Sequence, residues 1–128
     1  QITDYYTQRD HLRRQGYRFL TENDSELIAV WVSDQMKQGM TMEAALKKSI
    51  NSIDGVFTFM IATPDGIGYA KDRFAMKPLV VIEQAGELAA ATEEQAVRTV
   101  FPDECDVINY DGPSLFGIWG VGNRSMAA

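Results

Sequence analysis

The sequence holds 128 residues, 45% of them hydrophobic and 23% charged, which suits a single domain with one core. Its formal net charge of -6 argues against a general nucleic-acid binder, because phosphate contacts need clustered Lys and Arg. No apolar run approaches the ~20 residues of a membrane-spanning helix, and the first residues, QITDYYTQRD, lack the apolar stretch of a signal peptide. A single cysteine, Cys105, excludes an intrachain disulfide and a cysteine-based zinc site. The expected compartment is a reducing cytoplasm.

Tyr5 to Gln15 reads as a helix. Tyr5, Leu12 and Tyr6 are candidates for its apolar stripe, and Gly16 supplies the stop. Tyr17 to Leu20 is a short strand candidate, and Thr21-Glu22-Asn23-Asp24 is a turn rich in capping side chains. Leu27, Ile28, Trp31, Val32 and Gln35-Met36 recur at helical spacing and predict a helix from Ser25 to Gln38, ended by Gly39. Thr41 is placed to cap a third helix, Met42 to Ser52, with Leu46, Ile50 and Ile53 inward.

The pattern then changes. Val56 to Ala62 is rich in β-branched and aromatic residues, Pro64-Asp65-Gly66 marks a turn, and Ile67 to Lys71 returns as a hairpin partner. Leu79 to Glu83 and Glu87 to Ala91 form a second hairpin around Ala85-Gly86. Glu93 to Val100 is a short helix and Asp106 to Tyr110 a last strand. Helices followed by antiparallel hairpins predict an α+β fold, with the helices around Leu27–Met36 and Ala44–Ile50 on one face of a single four-stranded sheet. The tail from Gly112 to Ala128, with Phe116 and Trp119, is either an extended segment packed on a neighbour or partly disordered.

Self-contained catalytic machinery is hard to find. His11, the only histidine, lies among Arg and Asp on the first helix and reads as a surface residue. Cys105 sits among Asp103, Glu104 and Asp106, and neighbouring carboxylates disfavour the reactive thiolate. Those carboxylates do not have the spacing of a calcium loop. Arg9, Arg13 and Arg14 surround Asp10 and read as a solvated helix face. The glycines form no phosphate-cradling pattern, and no metal or cofactor is implied. Asp24 begins a helix, where capping alone would explain it.

Four stretches nevertheless resemble, in order and spacing, the class II (N-terminal nucleophile) glutamine amidotransferases. They are Phe19 to Ala29, with Asp24-Ser25-Glu26 at its centre; Asp54-Gly55-Val56-Phe57-Thr58-Phe59; Ala70-Lys71-Asp72-Arg73-Phe74-Ala75-Met76-Lys77-Pro78-Leu79; and Ala91-Thr92-Glu93-Glu94-Gln95-Ala96. The resemblance covers residues 1 to about 100 and leaves 101–128 as a tail. Arg73, Ala75 and Thr92 stand where Pro, Gly and Ser are usual, and the Ala75 and Lys77 pattern is nearest the amidotransferase subunits of glutamate synthase and methylglutamate synthase.

The resemblance implies a four-layer αββα sandwich with antiparallel sheets, of which this chain supplies the C-terminal part. It implies hydrolysis of glutamine by an N-terminal cysteine whose own amino group acts as base, with ammonia passed to a partner synthase. Gln1 is no nucleophile, and Gln1-Ile2-Thr3-Asp4 matches the stretch that follows the family's oxyanion Asn-Gly pair. The nucleophile is therefore expected upstream of Gln1, and the isolated chain is expected to be inactive. Asp24 matches the acidic residue that pairs with the α-ammonium of substrate glutamine, and a helix N-terminus favours negative charge there. A core cut between motifs leaves sheet edges open, so a companion segment or chain and an oligomer are expected. Two alternatives remain at this level: a non-catalytic binding or regulatory module with the same fold, and a structural subunit whose aromatic tail docks a partner.

Overall fold

A computed structural model describes residues 1–102 and 106–120. Cys105 and the Asp103-Glu104 pair of the acidic turn lie outside the described residues, as does the tail from 121 onward. Three helices come first: α1 (Tyr5–Arg14), α2 (Asp24–Lys37) and α3 (Met42–Ser52). Strands β1 (Thr58–Thr63), β2 (Gly66–Lys71), β3 (Val80–Gln84) and β4 (Glu87–Ala91) follow, then α4 (Glu94–Val100), β5 (Ile108–Asn109) and β6 (Phe116–Gly120).

The helices form where the apolar periodicity puts them. Tyr5 and Leu12 of α1 are buried, whereas Tyr6 is 67% exposed and is not part of the stripe. Leu27, Ile28, Trp31 and Val32 bury one side of α2 against the same cluster. Thr41 caps α3 as its position suggests, its hydroxyl oxygen accepting the Ala44 N–H at 3.1 Å. The expected strand at Tyr17–Leu20 does not form. Its side chains are bound to helices instead: the Tyr17 hydroxyl donates to Asp34 of α2 at 2.9 Å, and the Arg9 guanidinium of α1 lies 5.3 Å from the Phe19 ring centroid. No neighbouring strand is offered to that stretch of backbone among the described residues.

The strands make two antiparallel sheets rather than one. The first has the order β1-β2-β6 and the second β4-β3-β5. Consecutive hairpins were expected to lie side by side. Each hairpin keeps its own register, but β6 occupies the far edge of β2 and β5 the far edge of β3, so the sheets stack. The stretch Phe116–Gly120 is thus a strand of this chain's own sheet, with Trp119 buried.

Side-chain alternation then builds four layers. Tyr69 of β2 and Trp119 of β6 face Leu79 and Val81 across the gap between sheets. The Tyr69 ring centroid lies 5.0 Å from Tyr110 and 5.1 Å from Trp119, and burial pushes the Tyr69 phenol up to about 12. On the outer face of the first sheet, Ala70, Phe116 and Ile118 pack on Leu46 and Ile50 of α3. On the outer face of the second, Val80 and Ile82 pack on Val97 of α4. The order is helices, sheet, sheet, helix, with α1 and α2 continuing the first layer beside α3. Gly68 lets α3 pack closely, since a Cβ there would meet Leu46 Cδ1 at 2.5 Å and push that side chain aside.

The β3–β4 hairpin closes with Gln84 opposite Glu87 and two residues between them, Ala85 at φ 51° and Gly86 at φ 81°. Positive φ at both positions suits Asn-Gly rather than Ala-Gly. Ala85→Asn should therefore stabilise the protein by part of the left-handed penalty on alanine, which is roughly 1–2 kcal/mol; a chemical denaturation series on the two proteins measures it.

Candidate functional site

The strongest candidate is a cavity of about 410 Å³ at one end of the sandwich. The start of α2 contributes Asp24 and Ile28, the entry to β1 contributes Phe57 and Thr58, and Lys77 and Thr92 approach from the second sheet's ends. A larger depression, about 610 Å³, runs along the exposed face of α1 and includes His11 but lies away from these residues. His11 is exposed, and its ring nitrogen lies 3.2 Å from the Gln15 side-chain amide.

Asp24 is the first residue of α2 but does not cap it. The N-cap is Asn23, whose side chain makes no capping bond. Asp24 Oδ2 instead accepts the Ile2 N–H at 3.1 Å, and its side chain is 40% exposed. Its other oxygen accepts no hydrogen bond among the described residues. The structure thus brings Asp24 to the cavity wall with acceptor capacity to spare, and a capping role does not account for it. Residues 1–2 are held beside it by the bridge between Ile2 and Gly55 and by the Val56 N–H bound to Gln1 O at 2.9 Å. Gly55 is required at this crossing: its φ is +151° and a Cβ would lie 2.3 Å from Gln1 O.

Two carboxylates that sequence reasoning gave no role do not line the cavity but hold segments that carry or adjoin its lining residues. Glu26 accepts the Leu20 N–H, the Thr21 N–H and the Thr21 hydroxyl, each at 2.9 Å. It thereby ties the segment entering α2 to the helix itself. These bonds, the Leu20 N–H first, hold the Glu26 carboxyl below the ordinary glutamate range. The signal in the sequence is the capping-box spacing Asn23-x-x-Glu26, although here the Glu reaches further back than the N-cap.

Asp72, only 2% exposed, is the second. Its carboxylate accepts the N–H groups of Phe57 at 2.5 Å, Phe74 at 2.6 Å and Ala75 at 3.0 Å. Its backbone N–H donates to Phe57 O at 3.0 Å and its carbonyl accepts the Ser114 N–H at 2.9 Å. The loop so formed runs on to Lys77, whose carbonyl accepts the Thr58 hydroxyl at 3.0 Å. Ala75, where the resemblance expects Gly, has φ 56°, which explains why glycine is the usual residue.

Residues 1–99 match the model of the glutamine amidotransferase domain family. The chain belongs to that family. A Methanothermobacter thermautotrophicus relative assigned to the glutamine amidotransferases is 40% identical over 100 residues, 78% of this chain and 33% of its own length. The glutamine amidotransferase-like protein GlxB of Rhizobium meliloti is 32% identical over 96 residues, 75% of this chain and 32% of its own. The chain therefore spans about a third of the length of these curated relatives. The glutamine phosphoribosylpyrophosphate amidotransferase of B. subtilis superposes with a TM-score of 0.79 at 20% identity, over 99% of this chain and 27% of that one. The α+β architecture of two stacked antiparallel sheets is thus the N-terminal-nucleophile amidotransferase fold, and the match reaches beyond the roughly 100 residues that carry the sequence resemblance.

Two outcomes follow for these carboxylates. Asp72→Ala leaves three backbone N–H groups without their acceptor, two of them in the loop to Lys77, and should destabilise the protein by about 3–5 kcal/mol, the sum of a lost charge-assisted bond and stranded donors; thermal melting of the variant measures it. For Glu26, the lowered folded value means that its stabilisation is fully present above the ordinary glutamate range and is lost as pH falls through the folded value. Glu26→Gln should therefore flatten the acid limb of stability against pH while changing the neutral-to-alkaline slope little, as a series of melts across pH would show.

Proposed function

We propose that the protein carrying this chain hydrolyses glutamine to glutamate and ammonia and passes the ammonia to a synthase domain or subunit. Asp24 binds the α-ammonium of glutamine. The single observation that supports this assignment is the state of Asp24: a half-exposed carboxylate on the cavity wall, anchored through one oxygen by the Ile2 N–H and spare on the other. The neighbouring apolar lining, Ile28, Phe57 and Leu79, lowers the polarity around a charge pair formed there and strengthens it. A carboxylate aimed at an α-ammonium selects the free amino acid over a glutamine side chain within a peptide.

The chemistry itself comes from the upstream part of the full protein. Its cysteine thiol attacks the carboxamide carbon and its amino group takes the proton and returns it to the departing nitrogen. The C–N bond breaks to release ammonia, and water then hydrolyses the thioester to glutamate. No cofactor is required. In this reading Asp24 supplies the substrate contact, and the chain without the upstream segment or a companion chain is inactive. The Ala75 and Lys77 pattern supports the subunit type associated with glutamate synthase and methylglutamate synthase, acting in the cytoplasm.

Asp24→Asn in the full-length protein tests the assignment. Asn keeps an acceptor for the Ile2 N–H, so melting should move by less than about 1 kcal/mol. Loss of the charge pair to substrate should weaken binding by roughly 2–5 kcal/mol, read as a large rise in KM for glutamine. Unchanged hydrolysis would remove Asp24 from the site. A full-length protein with no glutaminase activity at all would favour instead the non-catalytic module.

A further inference from the structure

A second cleft lies on the helical layer, lined by none of the residues of the first cavity. A cleft of about 390 Å³ lies between the later turns of α1 and the segment that follows it, lined by Arg9, Arg13, Gly16, Tyr17, Arg18 and Phe19. Three of these six residues are arginines, in a chain whose net charge is -6. Gly16, at φ +100°, turns the chain so that residues 17–19 run back past the helix. The sequence groups Arg9 and Arg13 with Arg14 as a solvated face; the fold separates them. Arg14 pairs with Asp10 at 2.9 Å, whereas Arg9, Arg13 and Arg18 form no ion pair among the described residues.

No structural duty of the helix end requires the three cations. The carbonyls at the end of α1 are satisfied by backbone, since Leu12 O accepts from Gln15 and Tyr17 and Arg13 O accepts from Gly16. The arginine side chains are not needed to cap it. Glu26, the carboxylate whose field reaches Arg9, is engaged by Leu20 and Thr21. Arg9 is also fixed in place: its guanidinium lies over the Phe19 ring at 5.3 Å, and its Nε is buried without a hydrogen-bond partner among the described residues. A buried N–H without an acceptor is an incomplete arrangement.

We propose that this cleft binds a phosphoryl group of a small ligand, held by Arg9, Arg13 and Arg18. Planar guanidinium forks match the oxygens of a phosphoryl group, which carries close to two negative charges at neutral pH, better than they match a singly charged carboxylate. Stacking on Phe19 holds Arg9 ready, so less side-chain entropy is lost on binding. The ligand is either free phosphate or a phosphomonoester, and both present the same group.

The test follows the arginine Nε–Hε resonances of the full-length protein at low ionic strength, with inorganic phosphate and glycerol 1-phosphate as the two probes. Saturable shifts of Arg9, Arg13 and Arg18 with either probe are expected, and the probe that saturates first identifies the source. The double variant Arg13→Gln/Arg18→Gln should keep its melting temperature and bind at least tenfold more weakly. If that variant fails to fold, Arg18→Gln alone serves, since Arg18 lies outside any helix. Equal response in wild type and variant, or equal shifts with sodium chloride at matched ionic strength, overturns the proposal.

Discussion

The carboxylate of Asp72 is the constraint on which the rest of the site depends. It sits where the chain leaves the first sheet for the second, nearly sealed from solvent. A charge in that position is tolerable only if it is heavily hydrogen-bonded. Three backbone N–H groups meet the need: Phe57 on the entry to β1, and Phe74 and Ala75 on the crossing loop. One side chain thus fixes the start of one sheet relative to the loop that leads to the other. The cavity opens between those two elements, so its shape is inherited from this knot of bonds.

The layer between the sheets does the remaining work of alignment. Tyr69, Trp119 and Tyr110 form a packed aromatic group with Leu79 and Val81 against it. Lys71 points into the same layer, is almost fully buried, and donates its ammonium to the carbonyl of Tyr110. Large aromatic contacts make the stacking favourable, and the lysine bond sets how β2 meets the segment that carries β5. The helices on either outer face then cover what the sheets leave apolar.

Charge is distributed to match. The cavity end carries Asp24 and Lys77 over an apolar lining, while the far end of α1 gathers three arginines in a cleft of its own. Acidic groups near the site are mostly spent on backbone: Glu26 on residues 20 and 21, Asp72 on residues 57, 74 and 75. Asp24 differs from both, because one of its oxygens remains unengaged among the described residues. That contrast separates the carboxylates that hold the fold from one with an oxygen to spare.

The sequence by itself determined the helices, the two hairpins and the family. Apolar residues at three- and four-residue spacing mark α1 to α3, Thr41 announces its cap, and local turn chemistry at Asp65-Gly66 and Ala85-Gly86 fixes each hairpin, because these are short-range interactions. Asp24 was legible only through its motif neighbours, since capping accounted for it equally well until Asn23 took that position. Tertiary structure alone decided the rest. The stacking of two sheets was implied by the family resemblance, but that β6, a distant segment, takes the free edge of β2 was not. The Tyr17–Leu20 stretch has strand-forming residues but no strand beside it, so helix contacts hold it irregular. The bond from Phe57 to Asp72 and that from Lys71 to Tyr110 join residues 15 and 39 positions apart, and no local pattern encodes a partner at such distances.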